Sequence, residues 1–206
     1  MEDRFSHIDI NNEKINRIIN SAFEEFSKNS FEKASTNVIV KDAGISRGLL
    51  YHYFKDKKDL FDFLVYFSMK MTAENMEKNI DWQETDFLGR IRQGLAASWE
   101  LNLIYPYWID FYSQISDAKE LKKIRDIYEK YYPGLKNKIY RHNIDFSKIK
   151  EGVDIEKMIN VVKFTLRGIG KKYWEETRSK GLELDIDVCI KESDEYIEFF
   201  RNLFYK

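Results

Sequence analysis

With 206 residues, the chain is long enough for one large domain or two small ones with a sizeable core. Its 34 basic and 35 acidic side chains nearly cancel, so any nucleic-acid role has to come from a local patch rather than from overall charge. Cys189 is the only cysteine, which excludes an intrachain disulfide and fits a reducing cytoplasm. No apolar run approaches ~20 residues and Met1 opens no signal-peptide pattern, so a cytoplasmic protein without membrane association is expected.

Two prolines and nine glycines leave room for long helices. Residues Met1 to Ile10 read as a short mobile leader. From a cap at Asn11 or Asn12, Ile15, Ile18, Ile19, Ala22, Phe23 and Phe26 form one amphipathic stripe ending near Asn29. Thr36 then caps a short helix to Ala43, and a second short helix runs from Ser46 to Tyr53. Asp56 caps a long helix to about Asn79. Further helices are predicted from Thr85 to Leu103, from Tyr107 to Gln114, and from Ala118 to His142 with a break at Pro133-Gly134. Asp145 to Gly152 is a polar loop. Two long helices close the chain, from about Asp154 to Lys180 and from about Asp185 onward, with Gly181 where a C-terminal cap belongs. No strand alternation stands out. The expected fold is all-α, with about nine helices.

The most informative stretch is Thr36 to Lys58, TNVIVKDAGISRGLLYHYFKDKK. Gly44 suits the left-handed backbone that ends one helix, and Ser46 suits the N-cap of the next. Val38, Ile39, Ala43, Ile45, Leu50 and Phe54 are the apolar positions that close this unit on the preceding helix. Five basic side chains against two acidic ones give the stretch a local net charge of +3. That is a helix-turn-helix with a basic, hydrogen-bonding outer face.

Residues Ile15 to about Leu64 resemble the tetracycline-repressor-type (TetR) family of bacterial transcriptional regulators. The resemblance is carried by Phe23 and Phe26, by Ala43-Gly44-Ile45-Ser46, and by Arg47-Gly48-x-Leu50-Tyr51-His52-Tyr53-Phe54 followed by Lys57 and Leu60. Val40 and Leu49 depart from the family's usual small and hydroxyl residues. The resemblance implies a DNA-binding domain at 1–56 and a helical effector-binding and dimerisation domain at 57–206. It implies that the third helix of each subunit of a homodimer enters the major groove of a palindromic operator. Thr36 and Ser46 would then meet phosphates, Tyr51, His52 and Tyr53 would reach the backbone beside the groove, and Lys57 would add a charged phosphate contact. Arg47 would read guanine through its fork, Gly48 would permit close approach, and Leu49 would touch a base edge such as a thymine methyl. The last two helices would build the dimer.

Aromatic residues make up 16% of the chain and concentrate beyond residue 50. Packing of a helix bundle accounts for most of them. The resemblance also implies a pocket for a small apolar or aromatic effector, for which Trp99, Tyr107, Phe111, Tyr128 and Phe164 are the candidate walls. Asn102, Gln114 and Arg167 are its candidate polar groups. Effector binding would then misplace the recognition helices, with the long helix after Asp56 as the lever. An enzyme is not expected. His7, His52 and His142 show no metal-ligand spacing, and there is no phosphate-cradling loop or nucleophile elbow, so neither metal nor cofactor is called for. The alternative to an effector-controlled regulator is a helix-turn-helix protein governed by a protein partner, or one without a small-molecule switch.

Overall fold

A computed structural model describes residues 2–117, 129–130, 132–182 and 185–206. The described residues are helical throughout, apart from connecting loops and one isolated bridge between Ile149 and Tyr205. They fall into two compact units. The first comprises residues 1–75 and 100–133, and the second residues 76–99 and 134–206.

In the first unit, a short helix α1 (Glu2–Phe5) precedes α2 (Glu13–Lys28), α3 (Thr36–Asp42), α4 (Arg47–Tyr53) and α5 (Lys57–Asn79). Local chemistry sets each boundary. Asn12 caps α2 by accepting the Lys14 N–H at 2.9 Å, and Ser46 caps α4 by accepting the Leu49 N–H at 3.2 Å. Asp56 receives the Asp59 N–H at 2.8 Å at the start of α5. Gly44 turns the chain between α3 and α4 with φ at 61°. The expected cap of α3 moves by one residue: Ser35 is the N-cap, and Thr36 is the first helical residue. The buried Glu25 of α2 accepts the Ser35 N–H at 2.8 Å, so a carboxylate in the core fixes where α3 begins.

The α2 stripe of Ile15, Ile18, Ile19, Ala22, Phe23 and Phe26 is fully enclosed, as its periodicity predicts. Ile39, Ala43, Leu50 and Phe54 close the helix-turn-helix, but Val38 does not: it is 40% exposed on α3. The leader is also different from expectation. Phe5 and Ile8 are buried, and the Phe5 ring meets Phe63 edge-on at 5.3 Å. An apolar residue near the end of α1 therefore has a partner on α5 that lies too far along the sequence for periodicity to reveal.

The chain continues into α6 (Phe87–Ile104) and α7 (Trp108–Asp117). Within the first unit, α7 packs on α2. Phe111 lies among Phe23, Phe26 and Phe61 with ring centroids 5.2–6.5 Å away. The Tyr107 hydroxyl donates to Glu24 at 2.8 Å, and the Gln114 amide donates to the Ser27 carbonyl. The first half of the helix expected from Ala118 lies outside the described residues. Its second half is α8 (Leu135–Arg141), entered through Gly134.

The second unit is completed by a 3-10 turn at Phe146–Lys148, α9 (Ile155–Ser179) and α10 (Ile186–Phe204). Asp185 caps α10 by accepting the Asp187 and Val188 N–H groups. The core of this unit joins Ile80, Phe87, Leu88 and Ile91 to Met158, Ile159, Val162, Leu166, Ile197 and Phe200. Arg201 forks onto Asp86 at 2.9 and 3.1 Å. Burial alone would raise the Asp86 carboxyl, but the Arg201 and Gly89 hydrogen bonds hold it below the usual carboxylate range. The Tyr205 hydroxyl donates toward this carboxylate and accepts the Leu88 N–H, and burial pushes its pKa up to about 12.

Candidate nucleic-acid interface

The outer face of α4 carries little that the fold needs. Arg47, Gly48, Tyr51 and His52 are exposed, whereas Leu50 is 1% exposed and turns inward. Among described residues, a Cβ on Gly48 would meet only the Ser46 hydroxyl at 4.0 Å, so nothing inside the protein demands a glycine there. A reason outside the chain, the close approach of a partner's backbone, is consistent with that. Leu49 and Tyr53 are half-buried at the flanks of this face.

The face is pre-shaped by its own contacts. The hydroxyls of Thr36 and Tyr51 lie 3.3 Å apart, tying the first turn of α3 to the middle of α4. The Arg47 guanidinium sits 5.5 Å from the Tyr51 ring centre, on the same face. The Thr36 hydrogen bond, assisted by Arg47, holds the Tyr51 hydroxyl pKa below its usual value. Tyr51 therefore presents a polarised phenol rather than a buried ring. His52 stands exposed next to Tyr53, the two rings 5.1 Å apart and edge-to-face. Thr36, Ser46, Arg47, Gly48, Leu49, Tyr51, His52 and Tyr53 thus all lie on or beside α4 and the first turn of α3.

Lys57 does not join them. Its ammonium donates to the carbonyls of Phe31, Glu32 and Ala34 at 2.6, 3.2 and 3.0 Å, and it lies 4.7 Å from the Phe31 ring centre. All three of its hydrogens close the loop between α2 and α3, so the charged phosphate contact expected of it is replaced by an internal cap. A lysine in the first turn of a helix reads as surface in sequence; only the loop folding back over it shows otherwise.

The residues expected to line an effector pocket are placed more diversely. Tyr107, Phe111 and Gln114 make their described contacts with α2, as given above. Trp99 is buried, and its ring passes 3.3 Å from where a Cβ on Gly170 would stand, so Gly170 serves close helix approach while Gly168 faces open space. Asn102 is 1% exposed. Phe164 is 63% exposed and Arg167 is exposed, both on α9, so neither walls a pocket within the second unit. Tyr128 lies outside the described residues.

Residues 18–64 match the family model of "Bacterial regulatory proteins, tetR family". The chain carries a tetR-family DNA-binding domain. Among sequence relatives, the fatty acid metabolism regulator protein of Bacillus subtilis is 28% identical over 147 residues, covering 69% of this chain and 74% of that protein. The fold is shared over nearly the whole chain. A TetR family transcriptional regulator from Chloroflexus aurantiacus superposes with a TM-score of 0.66 at 17% identity, covering 99% of this chain and 98% of that one. FadR from Bacillus subtilis, solved with stearoyl-CoA, gives 0.58 at 20% identity, covering 89% and 96%. These relatives are named as regulators, and the tetR-family match itself lies on residues 18–64, the stretch that holds α3 and α4. No helix among the described residues is long and apolar enough to cross a membrane.

Proposed function

We propose that the protein is a repressor that binds a palindromic DNA operator as a homodimer and is released by a long-chain acyl thioester. The exposed face of α4 carries the DNA half of this reading. Arg47 is the base reader, with Gly48 and Leu49 against base edges. Thr36, Ser46, Tyr51, His52 and Tyr53 meet the sugar-phosphate backbone. The dimer half is supported by α9 and α10, whose outward residues Val161, Phe164, Val188, Tyr196, Phe199 and Leu203 are 38–63% exposed and apolar. A monomer in water has no use for such a stripe, and a second copy would cover it.

The effector reading rests on the regulators this chain resembles. The alignment with the Bacillus subtilis fatty acid metabolism regulator is far longer than the matched DNA-binding domain, and FadR was solved with stearoyl-CoA. Trp99, buried in the second unit, is a candidate apolar wall for such a ligand.

One experiment tests both halves. A duplex is first selected from random DNA by the wild-type chain, and its affinity is measured with and without stearoyl-CoA. Arg47→Ala should weaken binding by roughly 1–3 kcal/mol and relax specificity at one base. Unchanged affinity in that variant would remove α4 from the groove. Saturating stearoyl-CoA should release the wild-type protein and, at ~100 times its dissociation constant, add ~2.7 kcal/mol of stability. Neither release nor stabilisation would leave control by a protein partner as the better account.

A further inference from the structure

Residues 2–12, ahead of α2, lie outside the stretch that matches the family model, and Met1 to Ile10 read in sequence as a short mobile leader. In the structure they close on the end of the recognition helix. Three contacts do this from different directions. Nε2 of His7 lies 3.3 Å from the carbonyl oxygen of Tyr53, the last residue of α4. Arg4 pairs with Asp59, and also stands 3.7 Å from Asp62. Phe5 sits against Phe63 and Tyr66 of α5, with ring centres 5.3 and 6.0 Å away, and Ile8 is buried with it.

Asp59 makes this arrangement more than decoration. Its carboxylate is buried and does two things at once. Oδ2 accepts the Lys55 N–H at 3.0 Å, inside the link between α4 and α5, while Oδ1 receives the Arg4 guanidinium. A buried carboxylate needs a counter-charge, and removing that charge leaves it to draw in water or protonate. Arg4 therefore controls the group that fixes the α4–α5 link. His7 meets the carbonyl at the C-terminal end of the same helix, where helical carbonyls have no partner of their own.

We propose that the N-terminal segment is a brace for the recognition helix, in which Arg4 and His7 are positioning residues for DNA binding and Phe5 and Ile8 anchor them. They do not touch DNA. They hold α4 at the angle that its groove-facing side chains require, and this rests on the reading of α4 as the element that enters the groove. Without the brace, α4 samples other angles on α5, and operator affinity falls by the fraction of time it spends misaligned.

The test compares Arg4→Ala, Arg4→Lys and His7→Ala in the full-length chain on the selected operator duplex and on a scrambled duplex of equal length, across a range of salt. Arg47→Ala is run beside them. The brace predicts that Arg4→Ala binds the operator about tenfold more weakly, as when nine-tenths of the population is misaligned. Affinity for the scrambled duplex and the slope of affinity against salt should stay at wild-type values, and Arg4→Lys should recover most of the loss. His7→Ala should show the same pattern at smaller size. A salt slope reduced by about one in Arg4→Ala would instead make Arg4 a phosphate contact and overturn the brace. So would a lowered melting temperature with unchanged operator affinity well below it, since the segment would then only add stability. If Arg47→Ala also binds normally, the groove reading of α4 fails and the brace falls with it. If Arg47→Ala alone is impaired, the brace fails by itself.

Discussion

Two surfaces of this protein are left open, and they are open in opposite ways. On α4 the outward residues are polar or minimal: a guanidinium, a glycine, a phenol and an imidazole. On α9 and α10 the outward residues are apolar, with Phe164 63% and Phe199 58% exposed. Both sets leave the interior of their own unit well packed without them. The chemistry of what is left over therefore indicates the partner. Polar groups held in a fixed array suit a charged, hydrated duplex, and an apolar stripe suits another protein surface that excludes water.

The contrast is sharpest where a charge is placed on the apolar surface. At the proposed two-fold contact, Phe199→Glu would bury two like charges and should raise the dimer dissociation constant at least ~100-fold, about 2.8 kcal/mol. Sedimentation of the variant checks this, and a dimer persisting at wild-type concentrations would move the interface elsewhere. A smaller effect tests where the DNA surface stops. Lys57→Met keeps the aliphatic stem and removes three hydrogen bonds to loop carbonyls. It should lower stability by roughly 1.5–3 kcal/mol in a denaturant titration while leaving the salt slope of DNA binding unchanged. A slope lowered by about one would return Lys57 to the phosphate-contacting set.

The smallest effect lies inside the second unit and touches neither surface. The folded Asp86 carboxyl is held below its ordinary value, so its pair with Arg201 contributes in full above the usual carboxylate pKa of about 4. That contribution is lost as pH falls through the lower folded value. Asp86→Asn should flatten the acid limb of the stability curve by about 1 kcal/mol or less, because Arg201 is partly solvated. An unaltered acid limb would show that the pair contributes nothing measurable. Cys189, buried and pushed up to about 12, should stay inert to alkylation throughout.

Much of the helix-turn-helix was legible in residues alone. Caps and turns act over three or four positions, so Asn12, Gly44, Ser46, Asp56 and Asp185 announce their roles wherever they stand. The α2 stripe was equally plain, because periodicity needs no partner to be visible. Other residues have surroundings that their own stretch of sequence does not show. Tyr107, Phe111 and Gln114 share one helical stripe, and the sequence shows that stripe without showing whether a ligand or another helix covers it; α2 covers it. Lys57 carries a charge of the sort that usually meets solvent, and a loop 26 residues away takes it. Val38 fits an apolar pattern of α3, but no neighbour arrives on its side.

By itself, then, the sequence determined the all-α class, the α2 stripe, the helix-turn-helix and the family to which it is similar, because each depends on interactions within a few residues. Only the tertiary structure decided which exposed-looking groups were occupied and which patterned groups were left bare. It placed Arg4, Phe5 and His7 against α4 and α5, turned the Lys57 ammonium inward, and set the apolar stripe of α9 and α10 facing outward. Those outcomes depend on which distant segments come to lie side by side, and on the cost of burying a charge or a polar group without a partner.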